Sequence, residues 1–295
     1  MSTGTSTNAP APPNPQLVIR KLNQSTTIFS VPFKRGNTVP FGGRSVSRRC
    51  PPLPSFRSKI GQMLQPRVSR LNPELQTAIK LQSGVVWVAA SHPLCPATLE
   101  TITSMGPVKH LVMLDAEHGM YLKSYFDAFP EARLYMPAGG VKKWKSKGIL
   151  PENSSKYFSY GEGSPDPLEE ETGGEIKSAD FGKAFINEDI AFYHAPTKTL
   201  IEADLLFNLP PTEQYSKTDE RPTIPFLSNL MRPGTSGHKR FLWYLASKDR
   251  KEMGVQAKIV ADWDFDRVIP CHGDVVETGG KKAWLDTYAD FLEQQ

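Results

Sequence analysis

Cysteine is scarce in this sequence: Cys50, Cys95 and Cys271 are all there is in 295 residues. No two form a C-x-x-C pair, so neither a redox dithiol nor a cysteine-rich zinc site is encoded, and an odd, widely spaced set fits a reducing compartment. No apolar run approaches the roughly 20 residues that a membrane-spanning helix needs. The N-terminus lacks the charged and apolar regions of a secretory signal, and no arginine precedes Arg20, which argues against a transit peptide. The expectation is a cytoplasmic protein with no membrane partner.

Acidic residues are nearly missing from one segment. Between Arg44 and Lys80 lie Arg48, Arg49, Arg57, Lys59, Arg67 and Arg70, against the single acid Glu74. This stretch carries more positive charge than the whole chain, whose net charge is +4. Its proline cluster Cys50-Pro51-Pro52-Leu53-Pro54 and its lack of a sustained period of 2 or 3.6 make residues 45–76 read as an insertion. No aromatic ladder accompanies the arginines, so a solvated loop is expected and nucleic acid is not an expected partner. Residues 1–15 are small, polar and proline-rich, and cannot bury enough apolar surface to offset the entropy of ordering. They are expected to be a disordered tail ahead of a single domain over residues 16–295.

What is present is an alternation of strand and helix patterns. Leu17 to Leu22 and Thr27 to Val31 read as a starting hairpin. Thr77 to Leu81 and Val85 to Ala90 read as a second hairpin about Gln82-Ser83-Gly84. A helix is expected from Pro96 to Ser104, with Pro96 where a missing N–H costs least, and a strand from Val108 to Leu114. A helix near Met120 to Ala128, a strand over Arg133 to Met136 and a basic helix near Val141 to Lys147 continue the pattern. Gly161 to Asp180 is acidic and glycine-rich and is expected to be a solvated loop, so a second insertion is placed at 161–182. Strands then follow at Ile190 to His194, Thr199 to Asp204 and Arg267 to Pro270, with helices near His238 to Ala246, Arg250 to Asp262 and Gly280 to Leu292. This is an α/β pattern.

Three strand ends carry ionisable residues, and strand ends are where α/β sheets present their sites. Asp115, Glu117 and His118 follow Leu111 to Leu114. Asp204 follows Thr199-Leu200-Ile201, and His272 lies in Cys271-His272-Gly273-Asp274. Carboxylate and imidazole donors of this kind suit zinc, iron or manganese. Neither Ser236-Gly237-His238 nor Ser91-His92 lies in a nucleophile elbow, so a serine hydrolase is not expected.

The order and spacing of these residues resemble the metallo-β-lactamase superfamily, in which a strand ends in H-x-H-x-D-H, a later one in a bridging aspartate and a last one in His-Gly. Phe29 to Phe33, Phe41-Gly42-Gly43-Arg44, Ser83 to Val88, Glu117-His118, Phe129 to Ala132, His194 to Leu200, Asp204 to Asn208 and Cys271-His272-Gly273 are similar to a metallo-β-lactamase-like family known as a domain of unknown function. The resemblance implies an αββα sandwich of two mixed sheets with outer helices. It also implies one divalent metal, zinc before iron or manganese, held by His118, Asp204 and His272, with Asp115 or Glu117 as an added ligand or as a partner behind the ligands. Asp115, Glu117 or Asp274 is expected to move the proton. The departures matter too: Met113 and Asp115 stand where the motif has histidines, and the intermediate histidine has only His194 as a candidate. A metal-dependent hydrolase of a small molecule is the leading reading. A non-catalytic binding or scaffold protein on a degenerate fold, with no metal, and an iron-dependent oxidoreductase stay open beside it.

Overall fold

The computed structural model describes residues 14–32, 75–161, 163, 165–219 and 225–294. The segment Phe41 to Arg44, Phe33, Cys50, residues 1–13 of the expected tail and nearly all of the basic stretch lie outside the described residues.

In chain order the elements are β1 (Val18–Lys21), β2 (Thr26–Ser30), β3 (Leu75–Lys80), β4 (Val86–Ala89), α1 (Pro96–Met105), β5 (Val108–Val112), α2 (Leu122–Ala128), β6 (Arg133–Pro137), α3 (Ala138–Ser146), β7 (Tyr157–Tyr160), α4 (Leu168–Glu171), β8 (Ile176–Asp180), β9 (Ile190–His194), β10 (Thr199–Glu202), α5 (Pro225–Leu230), α6 (Ser236–Phe241), α7 (Arg250–Asp262), β11 (Arg267–Pro270) and α8 (Gly280–Leu292). The first seven strands form one sheet in sequence order, and the other four form a second in the order β11-β10-β9-β8. Both are mixed. β1 to β4 pair antiparallel and β4 to β7 parallel, while β10 pairs parallel with β11 and antiparallel with β9.

Alternation along the strands explains the layering. In β4, Val86 and Val88 belong to the core beneath α1, α2 and α3, while Trp87 and Ala89 belong to the core between the sheets. In β9, Ile190 and Phe192 face that same inter-sheet core, while Ala191 and Tyr193 face the helices α7 and α8. Successive side chains of a strand point to opposite faces, so strands apolar at every position are buried on both. Two sheets packed face to face, each with helices outside, are the αββα sandwich that the family resemblance implied. Trp87 meets Phe192 edge-on across the middle, with ring centroids 5.4 Å apart.

The helix ends follow from local chemistry. Asp249 caps α7 by accepting from the Glu252 N–H at 3.0 Å, and Thr235 accepts from the His238 N–H at the start of α6. The helical pattern from His238 to Ala246 divides: α6 ends at Phe241, and a π turn covers Leu242 to Ala246. Gly161 to Asp180 is corrected from a solvated loop. It contains α4 and β8, and β8 pairs with β9 over five residues. The acids there have partners: Glu171 takes bonds from Arg133 and Tyr135, and Asp166 from Tyr160 and Ser178. β7 was also not expected. Its Tyr157 pairs with Leu134 and it closes the edge of the larger sheet.

Cys95 and Cys271 are both buried. Two buried histidines stay neutral. Burial pulls His92 down to about 4 despite its contact with the Pro93 carbonyl, and burial pulls His238 down to about 4 against the Arg232 carbonyl.

Two outcomes are expected. Trp87→Ala should cost about 3–5 kcal/mol in urea denaturation, because it opens a cavity at the sheet interface. His92 takes up its proton near pH 6.5 when unfolded but only near 4 when folded, so it contributes stability above pH 6.5 that is lost as pH falls to 4. The loss between pH 7 and 4 should shrink by about 3 kcal/mol in His92→Gln.

Candidate metal centre

β10 and β11 are in-register parallel neighbours, with Glu202 opposite Pro270. Two residues past each of these comes a donor, Asp204 and His272, so both leave the sheet at the same level. His118 arrives from the other sheet, on the loop after β5. That loop is tied across the sandwich by the Ala116 N–H on the Asn187 carbonyl and the Ile190 N–H on the Leu114 carbonyl, both 2.8 Å. The result is a site at one edge, between the two halves.

His118 Nε2 lies 3.2 Å from His272 Nε2, and His272 Nε2 lies 3.2 Å from Asp204 Oδ1. Donor atoms of all three residues lie within 4.8 Å of one another, and all three residues are buried. Among the described residues this is the one group of His, Cys, Asp and Glu close enough to share an ion. Tetrahedral zinc with bonds of 2.0–2.1 Å places its ligand atoms roughly 3.3 Å apart, the length of a tetrahedron edge. The two 3.2 Å separations match that spacing. Asp204 Oδ1 is buried and has no hydrogen-bond partner among the described residues, as expected of an oxygen that faces a cation. Burial would raise the Asp204 carboxyl, but the His118 and His272 imidazoles and the Asn187 amide outweigh it and hold it at about 2, ionised at neutral pH.

Asp115 is not among these three donors and stands behind one of them. Its Oδ1 accepts the Glu117 and His118 N–H groups at 2.8 and 2.6 Å, and its Oδ2 accepts His118 Nδ1 at 2.6 Å. A carboxylate only accepts, so Nδ1 carries the proton and Nε2 presents its lone pair toward His272 and Asp204. Glu117 turns elsewhere, pairing with Lys143 of α3 at 2.7 Å. Asp274 is also elsewhere: its carboxylate accepts from Thr212 and from the Glu213 N–H, at the turn that follows Asn208. His194 does not supply the missing histidine. It sits opposite Thr199 at the start of β10, the far end from Asp204, with Nδ1 on Thr197 Oγ1 at 2.7 Å.

Three residues at the centre were not found from sequence. The Asn187 amide donates to Asp204 Oδ2 at 2.6 Å. Asp189 Oδ1 accepts the Asp204 N–H at 2.8 Å. Glu202 Oε2 accepts the N–H groups of Leu205 and Leu206 at 2.8 and 3.0 Å, which turns the chain just after Asp204. Burial pushes both Asp189 and Glu202 well above the usual carboxylate range, and for Asp189 the neighbouring Asp115 and Asp204 add to it. Asn187-x-Asp189 ahead of a strand was a weak signal, since such residues commonly end turns.

Around these groups, two further features explain the sequence. Phe207 stacks flat against the His272 ring at 5.6 Å and meets His238 edge-on. Gly273 is required by packing: a Cβ there would lie 2.2 Å from the Asn208 carbonyl oxygen, where the two loops bridge.

Comparison with known proteins places this geometry. No protein-family model matches the chain, and no curated protein does. Solved structures do match. VMB-1, determined at pH 5.5, is similar with a TM-score of 0.53 and 12% identity, over 96% of this chain and 99% of that one. TMB-1, described for substrate and inhibitor binding, has a TM-score of 0.52 and 10% identity, over 94% and 98%. The metallo-β-lactamase FIM-1 from Pseudomonas aeruginosa, in its mono-zinc form, has a TM-score of 0.50 and 12% identity, over 97% of each chain. With the strand order and the layers already described, this likeness establishes that the chain has the metallo-β-lactamase fold.

Proposed function

We propose that this protein is a metal-dependent hydrolase of a small molecule, with one divalent cation held by His118, Asp204 and His272. The observation that carries the reading is the convergence of these three donors from three strand tips, at the spacing of tetrahedral ligands. Zinc suits two imidazoles and one carboxylate best, and three protein donors leave a coordination position open for reactants. Such an ion supplies Lewis-acid polarisation and brings the pKa of a bound water down to about 7.

The chain's own groups prepare the site for that chemistry. Asp115 fixes the tautomer and direction of His118. Phe207 and the loop about Gly273 hold His272. Proton transfer is assigned to Glu117: Lys143 engages its Oε1 alone, whereas Asp115 and Asp274 each have both carboxylate oxygens occupied. Glu117 is partly exposed beside the His118 loop, where Lys143 steadies it. No described helix is long and apolar enough to cross a membrane, and a small cytoplasmic substrate fits this reading.

Metal analysis of protein purified without added metal tests it. Zinc or manganese at one per chain, lost in a His118→Ala plus His272→Ala variant, is the expected result. Iron would turn the reading to redox chemistry, and no metal in either protein would leave a binding or scaffold role. Asp115→Asn should weaken zinc binding about 10- to 100-fold while far-UV circular dichroism is unchanged, because an amide cannot accept from its Nδ2 side and His118 loses its orientation. Unaltered zinc affinity in that variant would remove the supporting role given to Asp115.

A further inference from the structure

We propose that Asn187 makes Asp204 a one-oxygen ligand, holding Oδ2 with its side-chain amide so that Oδ1 alone faces the cation. This inference rests on the metal centre proposed above and concerns its coordination number.

A carboxylate can offer a cation one oxygen or both, and which it offers depends on what else its lone pairs bind. At Asp204 the division is built in. Oδ2 accepts from Asn187 Nδ2 at 2.6 Å. Oδ1 has no hydrogen-bond partner among the described residues and lies 3.2 Å from His272 Nε2. The orientation of the amide is forced by chemistry, because only its nitrogen can donate to an ionised oxygen. That nitrogen has no lone pair for a metal, so Asn187 cannot take over as a ligand through it.

The chain around Asn187 is fixed from several sides. Its carbonyl accepts the Ala116 N–H at 2.8 Å, on the His118 loop. Glu188 beside it adopts a left-handed conformation with φ 57°, and its carboxylate accepts the Gly139 N–H at 2.6 Å at the start of α3. Two residues on, Asp189 holds the Asp204 main chain. The amide is therefore presented from a rigid turn, and Asp204 is gripped at its backbone and at one oxygen. Asn187 is a positioning residue. It keeps the protein donors at three and the remaining position open to a reactant.

Cobalt(II) substitution tests this, since its visible bands are strong in four-coordinate sites and weaken as coordination number rises. Wild-type protein should bind one cobalt with strong bands. Asn187→Ala should bind it about 10-fold or more weakly, and the isosteric Asn187→Asp, which puts an acceptor in place of the donor beside Oδ2, should change the bands. In Asn187→Ala the bands should weaken as the released Oδ2 joins the metal. The melting temperature without metal should stay close to wild type in at least one of the two. If wild-type protein takes up no cobalt, the metal centre itself is wrong and this inference falls with it. If wild type binds cobalt and both variants match it in affinity and spectrum, the centre stands and the role of Asn187 is overturned.

Discussion

Parallel pairing of β10 with β11 sets the position of everything at the site. Because Thr199 to Glu202 run in register with Arg267 to Pro270, the chain leaves the smaller sheet twice at one level, and a donor follows two residues later each time. The third donor must come from the other sheet. It does so only because the inter-sheet core, with Trp87 against Phe192, holds the two sheets face to face. Main-chain bonds between the β5 loop and the turn before β9 then fix the height of His118. Core packing and site geometry are in this sense one problem, since a slip between the sheets would separate His118 from His272.

The electrostatics follow from the same closeness. Asp115, Asp189, Glu202 and Asp204 are all buried near one another, an arrangement that would be costly if each carried an unmatched charge. Main-chain N–H groups meet Asp115, Glu202 and Asp189, and the Asn187 amide and two imidazoles meet Asp204. Burial pushes Asp189 and Glu202 well above the usual carboxylate range, which favours their uncharged forms. Asp204 stays anionic where a cation would sit.

Much of this was legible from the residues. The bounds of α7, β11 and α8 follow their patterns, α7 with the Asp249 cap at its start. His118, Asp204 and His272 stood out because each ends an apolar strand. What was not legible depends on contacts far apart in sequence. β8 looked like a solvated loop because its acidic surroundings give no hint that Arg133, Tyr135, Tyr160 and Ser178 supply partners. Which of two roles Asp115 takes was open for another reason. Sequence spacing cannot tell a ligand from the carboxylate behind a ligand, because both sit within a few residues of the histidine. Asn187 and Asp189 looked like ordinary turn residues until the turn was seen against Asp204.

Met113 bears on how this centre relates to the histidine-rich motif it resembles. Its side chain belongs to the core on the helix side of the larger sheet, and its sulfur and methyl sit so close to Gly119 and Gly140 that a Cβ on either would lie 2.2 or 2.4 Å away. The loop and the first turn of α3 are thus moulded around a thioether. An imidazole at that position would have to fit an apolar core against these two glycines. A donor other than the thioether at residue 113 would therefore have to be fitted against both glycines and the start of α3 at once.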